Sequence, residues 1–277
     1  MKLIHLSDTH IVPHGNTLYG LDPRARFAAA IDDINANHAD AALCVITGDL
    51  AHWGEREAYN TLANIAERLG PPTVLLIGNH DDRDAFRTCF PGALRDRNGF
   101  VQGIRVTEAA TLVFLDTHDG TTHAGRYCAE RQAWLQETLS SIEGDIIPFM
   151  HHPPLEIGIS SMDPICLADR AEFANTIRPH ASRIRHIFMG HVHRTISGHW
   201  MGIPYTIVRG TNHQVAPEFG PRGEDIIGSH EPPTYAVALI GTDSIAVHIC
   251  EYLDRSPRFP LRAQEVHDRT YPLTFRL

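Results

Sequence analysis

The stretch "MGHVHRTISGHW", residues 189–200, follows the apolar pair Ile187 and Phe188 and places two histidines one residue apart. On an extended backbone, residues i and i+2 point to the same side, so His191 and His193 would project together about 7 Å apart. That spacing is too wide for one hydrogen bond and suits two neighbouring metal ions. Taken alone, the stretch favours two surface histidines after a turn glycine, because short motifs often match by chance. The rest of the chain therefore has to decide between these interpretations.

Outward from this stretch, short apolar runs alternate with helix-like segments, which is typical of a layered α/β fold. The predicted strands cover residues 2–6, 42–47, 73–77, 111–116, 146–150, 185–189 and 205–209. The segments "YAVALI" and "IAVHICEY", joined by "GTDS", predict a β-hairpin near the C-terminus. The Gly- and Pro-rich residues 216–233 are predicted to form a long loop, of the kind that often serves as a lid or binding loop.

Three segments have apolar residues at helical spacing. In "DPRARFAAAIDDINANH", Asp22 is predicted to cap a helix that has Pro23 at its first position. In "EREAYNTLANIAERLG", Gly70 is a candidate helix terminator. The third segment is "AERQAWLQETLSSIE". Each helix is predicted to cover one face of a sheet.

Potential metal ligands follow five of the predicted strands. They are Asp8-Thr9-His10, Gly48-Asp49, Gly78-Asn79-His80-Asp81, His151-His152 and Gly190-His191-Val192-His193. Each set has an ordinary alternative as a polar turn, a cap or a rigid corner before prolines, and His152 is predicted not to be a ligand. Because ligands gather at the carboxyl ends of strands in α/β sheets, the five sets would converge on one place. Their conjunction favours a metal site.

The composition limits the classes of function. The chain has 277 residues, 43% of them hydrophobic, and a formal net charge of −9, which argues against binding to nucleic-acid polymers. No apolar run approaches the ~20 residues of a membrane span, and the N-terminus does not resemble a signal peptide. Five cysteines without CxxC spacing are interpreted as reduced. We therefore expect a cytoplasmic protein with no membrane partner.

The candidate ligands offer nitrogen and oxygen but no thiolate, which suits Zn, Mn, Fe or Co. One carboxylate between two ions ~3.5–4 Å apart can bridge them, and such a pair can clamp the attacking and leaving oxygens of a displacement at phosphorus. Two divalent ions bring four positive charges, of which Asp8, Asp49 and a bridging hydroxide remove three. A chain with a negative net charge can therefore still have a positively charged site for a phosphodiester monoanion.

The ordered motifs DxH, GD, GNHD, HH and GHxH, spanning residues 8–193, resemble the calcineurin-like metallophosphoesterase superfamily. Within it, the chain is similar to the class III cyclic nucleotide phosphodiesterases and the bacterial glycerophosphodiesterases. The segments "HLSDTH", "LYG", "GNHDD", "MHHPPLEIG", "MDPI" and "GTNHQV" resemble the glycerophosphodiesterase branch. The resemblance implies a four-layer α/β/β/α sandwich with a C-terminal cap or loop region.

The resemblance also implies roles for particular residues. One metal ion would be held by Asp8, His10, Asp49 and His193, and the other by Asp49, Asn79, His151 and His191. A bridging or terminal hydroxide would attack phosphorus in line, with His80 near the leaving-group oxygen. Substrate contacts would come from Asn79, His80 and His213. The two ions would be divalent or trivalent.

The expected organisation is a catalytic domain over residues 1–255, with 216–233 as cap loop, and a tail over 256–277. The resemblance implies hydrolysis of small phosphodiesters, either glycerol-type or compact alkyl diesters or, alternatively, 3′,5′-cyclic nucleotides such as cAMP. A nuclease or phosphomonoesterase of the same superfamily and a non-catalytic metal-binding scaffold are the competing functions. The resemblance further implies a homodimer or higher homo-oligomer.

Overall fold

The computed structural model describes residues 1–221 and 225–258. The strands are β1 (Lys2–Leu6), β2 (Leu43–Ile46), β3 (Thr73–Leu75), β4 (Gly103–Val106), β5 (Thr111–Phe114), β6 (Ile146–Met150), β7 (Ile187–Met189), β8 (Ile196–Trp200), β9 (Ile203–Ile207), β10 (Gln214–Val215), β11 (Gly228–Ser229), β12 (Tyr235–Ile240) and β13 (Ile245–Cys250). The α-helices are α1 (Pro23–His38), α2 (Arg56–Ala66), α3 (Arg83–Cys89), α4 (Ala129–Ser141) and α5 (Arg170–Ile177).

The strands form two large sheets. One has the order β13-β12-β1-β2-β3, in which β1, β2 and β3 are parallel and β12 and β13 are antiparallel to their neighbours. The other has the order β4-β5-β6-β7-β9-β8, in which the four central strands are parallel and the two edge strands antiparallel. The runs "LCVI" and "IFM" are buried throughout. This suits central strands that are covered on both faces.

The two sheets pack face to face, and helices cover their outer faces. A shared apolar cluster joins Leu3 and Val45 of the first sheet to Phe149 and Phe188 of the second. A second cluster joins the first sheet to α1, α2 and α3, and a third joins the second sheet to α4 and α5. The layers are therefore α/β/β/α, and the predicted four-layer fold is confirmed.

The predicted helices are found, with one corrected end. The Asp22 side chain accepts hydrogen bonds from the backbone N–H groups of Arg24 and Ala25, so this cap is confirmed. Gly70 does not terminate α2, which ends at Ala66. Residues 67–69 instead form turns closed by backbone hydrogen bonds to carbonyls two to four residues earlier. Apolar spacing continues through such a turn, so periodicity alone overestimates the length of the helix.

The strand predictions were less accurate in the second sheet. The predicted strand 205–209 lies two residues too late, since β9 is Ile203–Ile207. The edge strands β4 and β8 were missed, and β8 overlaps the second half of the stretch 189–200. β8 alternates between partly buried and exposed residues, and three of the four residues of β4 are exposed. Both strands therefore lack the continuous apolar run that identifies a central strand.

The predicted loop 216–233 is not entirely irregular. Its residues Gly228–Ser229 form β11, which pairs antiparallel with β10, so the loop interpretation is wrong at this point. Of the predicted tail 256–277, residues 259–277 lie outside the described part of the chain, as do residues 222–224 of the loop. The proposed division at residue 255 stays a prediction.

Candidate metal centre

Five of the seven predicted metal ligands have a left-handed backbone conformation. The φ angles are 56° at Asp8, 45° at His10, 49° at Asp49, 69° at His191 and 53° at His193. A positive φ is uncommon for a residue with a side chain, costs of order 1–3 kcal/mol, and persists only where the surrounding structure enforces it. Such residues cluster at active sites and ligand clamps. The strand ends thus turn sharply and direct several polar side chains to one place.

These angles correct the spacing argument for His191 and His193. The strand β7 ends at Met189, and neither histidine has an extended backbone. Their rings lie in different halves of the site: the His193 ring is 4.9 Å from that of His10, and the His191 ring is 5.1 Å from that of His151 (centroid distances). Two histidines that separate at a tight turn thus reach two neighbouring positions.

The first half of the site consists of Asp8, His10, Asp49 and His193, whose potential ligand atoms all lie within 4.8 Å of one another. The Nε2 atoms of His10 and His193 are 3.1 Å apart, and Nε2 of His193 lies 3.3 Å from Oδ1 of Asp8. Ligands about 2.0–2.2 Å from a shared ion stand about 3.0–3.5 Å apart. The four side chains therefore have the spacing of a ligand set.

The second half of the site lies on the other side of Asp49. Its Oδ1 is 3.4 Å from Nε2 of His151, whereas its Oδ2 is 3.6 Å from Nε2 of His10. Oδ1 of Asn79 is 3.3 Å from the same His151 nitrogen. Asp49 thus presents one carboxylate oxygen to each half, which is the arrangement that a bridging ligand requires.

Backbone carbonyls orient two of these histidines. Nδ1 of His151 donates to the carbonyl oxygen of Thr47 at 2.8 Å, and Nδ1 of His193 donates to that of His213 at 2.7 Å. Because one proton is then on Nδ1, the neutral form of each ring has its lone pair on Nε2, where a cation can bind. Metal-ligating histidines usually make such a hydrogen bond with their other ring nitrogen.

Two buried atoms indicate that the site fits metal ions. Within residues 1–221 and 225–258, Oδ1 of Asp8 and Nε2 of His191 make no hydrogen bond although both are buried. An unpartnered buried polar atom is costly and calls for an explanation. Cations between the nitrogen and oxygen donors would satisfy both atoms, and the donor set suits Zn, Mn, Fe or Co.

The pKa shifts of Asp49 and His151 are those expected of a site that binds cations. Burial alone would raise the pKa of Asp49, but His151 and His80 hold it well below its usual range. Burial alone would lower the pKa of His151, but Asp49, Asp8 and the Thr47 carbonyl raise it to about 9. Asp49 is therefore ionised at neutral pH, and a cation bound there must displace a proton from His151.

A cavity of about 720 Å³ opens above these residues. His80 and His213, the other predicted site residues, line it, and Nδ1 of His80 donates to the carbonyl oxygen of His52 at 2.9 Å. The backbone N–H of His80 donates to Oδ1 of Asp49 at 2.9 Å. All nine predicted site residues are thus brought together, while their roles stay predictions.

Sequence reasoning missed several residues of the cavity. They are His52, His123, Met162, Ile165, Val215, Ile226, Gly228, Ser229 and His230, and Tyr19 of the quoted "LYG" segment also lines the cavity. The signal for His123 was present, because "DTHDGTTH" follows β5 and is a sixth polar strand end. His52 lies three residues after Asp49, but nothing in its spacing distinguished it from a surface histidine.

Asp81 and His152 belong to the quoted motifs and lie beside the proposed ligands. Asp81 of "GNHD" accepts hydrogen bonds from the backbone N–H groups of Leu50, Ala51 and Gly78, so it fixes the two ligand-bearing turns against each other. His152 contacts Thr117 through Nδ1 at 2.7 Å, and its ring belongs to a possible ligand group with His151 and His191. Its exclusion from the ligand set stays a prediction.

Comparison with known proteins identifies the family. The sequence model described as calcineurin-like phosphoesterase matches residues 1–195. A probable cyclic nucleotide phosphodiesterase of Rhodopseudomonas palustris is 46% identical over 269 residues, which is 94% of this chain and 96% of the relative. The glycerophosphodiester phosphodiesterase GpdQ of Enterobacter lignolyticus is 30% identical over 78% of this chain and 79% of its own length.

A solved structure supports the fold. The dimetal phosphatase from Danio rerio superposes with a TM-score of 0.69 at 14% identity, over 91% of this chain and 96% of the other. At that identity the likeness concerns the fold alone.

Within the described residues, no helix combines the length and apolar character that a membrane crossing requires.

Proposed function

Because the chain belongs to the calcineurin-like phosphoesterase family, we propose that it hydrolyses small phosphodiesters at a site holding two metal ions. The observation that carries this is the position of Asp49, with one carboxylate oxygen facing each half of the ligand cluster. Relatives named as phosphodiesterases support the reaction class. The chain is accordingly a metal-dependent phosphodiesterase.

We assign one ion to Asp8, His10, Asp49 and His193, and the other to Asp49, Asn79, His151 and His191. When bound, such ions lower the pKa of a water nucleophile and stabilise negative charge on the phosphoryl oxygens. Fe, Mn, Zn and Co all suit the donors, and the choice among them depends on supply and geometry. The expected homo-oligomer and cytoplasmic location stay predictions.

His80 is proposed to assist departure of the leaving group. Its Nδ1 proton is held by the His52 carbonyl, so Nε2 is the ring nitrogen available to hold a proton towards the leaving oxygen. Asn79 and His213 are proposed to contact substrate. The His213 ring lies edge-on to Tyr19 with centroids 4.6 Å apart, and both residues line the cavity.

The substrate has two candidate classes. Glycerol-type and other compact alkyl diesters are favoured by the resemblance of the "LYG" and "GTNHQV" segments to the glycerophosphodiesterase branch. The cavity wall favours the second candidate, 3′,5′-cyclic nucleotides. Met162, Ile165, Val215, Ile226 and the 60% exposed Tyr19 offer apolar and aromatic contacts to a base, and Asp49 is the only carboxylate of the described lining. A substituted ammonium group would therefore find no free carboxylate there.

The two candidates differ in their expected relative rates. The measurement is kcat/KM for glycerophosphoethanolamine, 3′,5′-cAMP and 2′,3′-cAMP under a single metal condition, so that uniform binding is not mistaken for specificity. If the apolar wall selects a base, 3′,5′-cAMP should exceed the glycerol diester about tenfold or more, the value of roughly one good apolar contact. A glycerol diester that exceeds cAMP would place the protein with the glycerophosphodiesterases and leave the metal chemistry unchanged.

A further inference from the structure

We infer that His123 is a positioning residue that holds the carboxamide of Asn79 with its oxygen towards one metal ion. This ion, here called the second, is the one assigned to Asp49, Asn79, His151 and His191. The inference rests on the proposed function, because it concerns the orientation of one proposed ligand. Nδ1 of His123 lies 3.0 Å from Nδ2 of Asn79, and the His123 ring also lies 5.2 Å from that of His80 (centroid distance). His123 thus contacts both the ligand and the neighbouring catalytic candidate.

The fold brings His123 to this place from a separate strand. It lies in the segment of residues 117–125, which follows β5. The backbone N–H of Arg126 donates to the carbonyl oxygen of Thr117 at 2.9 Å and closes the base of this segment. A Cβ on Gly125 would lie 2.4 Å from Cγ of His152, so glycine permits close packing against the turn that carries His151. The root of the segment is thereby fixed to the metal site.

The chemistry of the amide explains why its orientation needs a partner. A carboxamide has an acceptor oxygen and an NH₂ group that only donates, and the oxygen is the end that can coordinate a metal ion. Oδ1 of Asn79 faces Nε2 of His151 at 3.3 Å, on the metal side, while Nδ2 faces His123. Among the described residues, His123 is the hydrogen-bond acceptor for Nδ2.

The direction of this hydrogen bond fixes the form of His123. Since Nδ2 can only donate, Nδ1 of His123 must carry the lone pair, and the neutral ring keeps its proton on Nε2. Rotation of the amide by 180° would place its oxygen, an acceptor, against the lone pair on Nδ1, and it would turn NH₂ towards the cation. Partners of this kind are typically worth 10–100-fold in metal affinity or activity.

The test follows metal release from the loaded full-length protein. Mn²⁺-loaded wild type and variants are titrated with a chelator, and the ions retained per chain are counted by mass spectrometry. His123→Leu should release its second ion at a chelator activity about 10–100-fold lower than wild type, with release of the first ion unchanged. His123→Asn should restore binding, because an Asn oxygen is as many bonds from Cα as Nδ1 of histidine. His248→Leu, on the exposed face of β13, is the matched control.

A double variant separates positioning from direct contact with substrate. If His123 acts through Asn79, His123→Leu should add no further loss of Mn²⁺ affinity in an Asn79→Ala background. The inference would be overturned if His123→Leu released the second ion as wild type does, or if the losses of Mn²⁺ affinity in the double variant were additive. Either result would leave the proposed function intact. A wild type that binds a single ion would overturn both. Unchanged Mn²⁺ release with slower turnover would assign His123 to substrate instead and refute the positioning role.

Discussion

Replacing Asp49 with alanine should remove both metal ions and reduce diester hydrolysis by more than about 10³-fold, beyond the loss typical of one electrostatic contact. Its two oxygens face the two halves of the ligand cluster, at 3.6 Å from His10 and 3.4 Å from His151. Without the carboxylate, two cations would face each other with one negative charge fewer between them. Metal content by mass spectrometry and kcat/KM on the same preparation are the two measurements.

The comparison variants make this test specific. Asn79→Ala removes a terminal ligand and should weaken mainly one ion, leaving about one ion per chain. Asp40→Ala removes an exposed carboxylate paired with Lys2 and should behave as wild type, because surface ion pairs contribute little. Two tightly held ions in Asp49→Ala would contradict the bridging assignment.

The second large effect concerns His80. His80→Ala should slow diesters with poor alkoxide leaving groups by about 10²–10⁴-fold, while diesters with good aryl leaving groups lose much less. A general acid helps only when the departing oxygen is basic. Because the hydrogen bond to Asp49 comes from the backbone N–H of His80, the side chain can be removed without withdrawing that contact from the ligand.

Metal content should therefore stay at the wild-type level in His80→Ala. His14→Ala, which changes an exposed histidine whose backbone N–H contacts Glu57, is the control. Equal losses on alkyl and aryl diesters would refute the leaving-group role and indicate that His80 positions the substrate.

The site could be anticipated because strand ends are readable in a sequence. Central parallel strands are continuous apolar runs, and β1, β2, β6 and β7 each give way abruptly to ligand-forming side chains. Converging strand ends follow from the layered fold, so proximity could be inferred without knowing any distance. The left-handed turns that aim the ligands could not, since φ depends on tertiary contacts that a local pattern does not encode.

The parts that the sequence did not reveal depend on contacts between distant segments. His52 resembles an ordinary surface histidine until the fold places it beside His10. His123 belongs to a sixth polar strand end, but its contact with Asn79 depends on the path of the segment after β5. The edge strands β4 and β8 were missed because their half-exposed residues lack a continuous apolar signal. For the same reason β11 was hidden within a Gly- and Pro-rich stretch, where its partner β10 supplies the pairing.

The most direct test of metal-dependent diester hydrolysis is the ratio of kcat/KM for a diester to that for the monoester with the same leaving group, on protein reconstituted with two divalent ions. Asp8, Asp49 and a nucleophilic hydroxide would offset three of the four positive charges of two divalent ions, and the remaining charge of about one balances a diester monoanion better than a monoester dianion. The ratio should therefore exceed one for every compact diester tested. Turnover of each diester should fall to background when a chelator removes the ions. A monoester preferred to all diesters, or two bound ions with no turnover of any ester, would contradict the account.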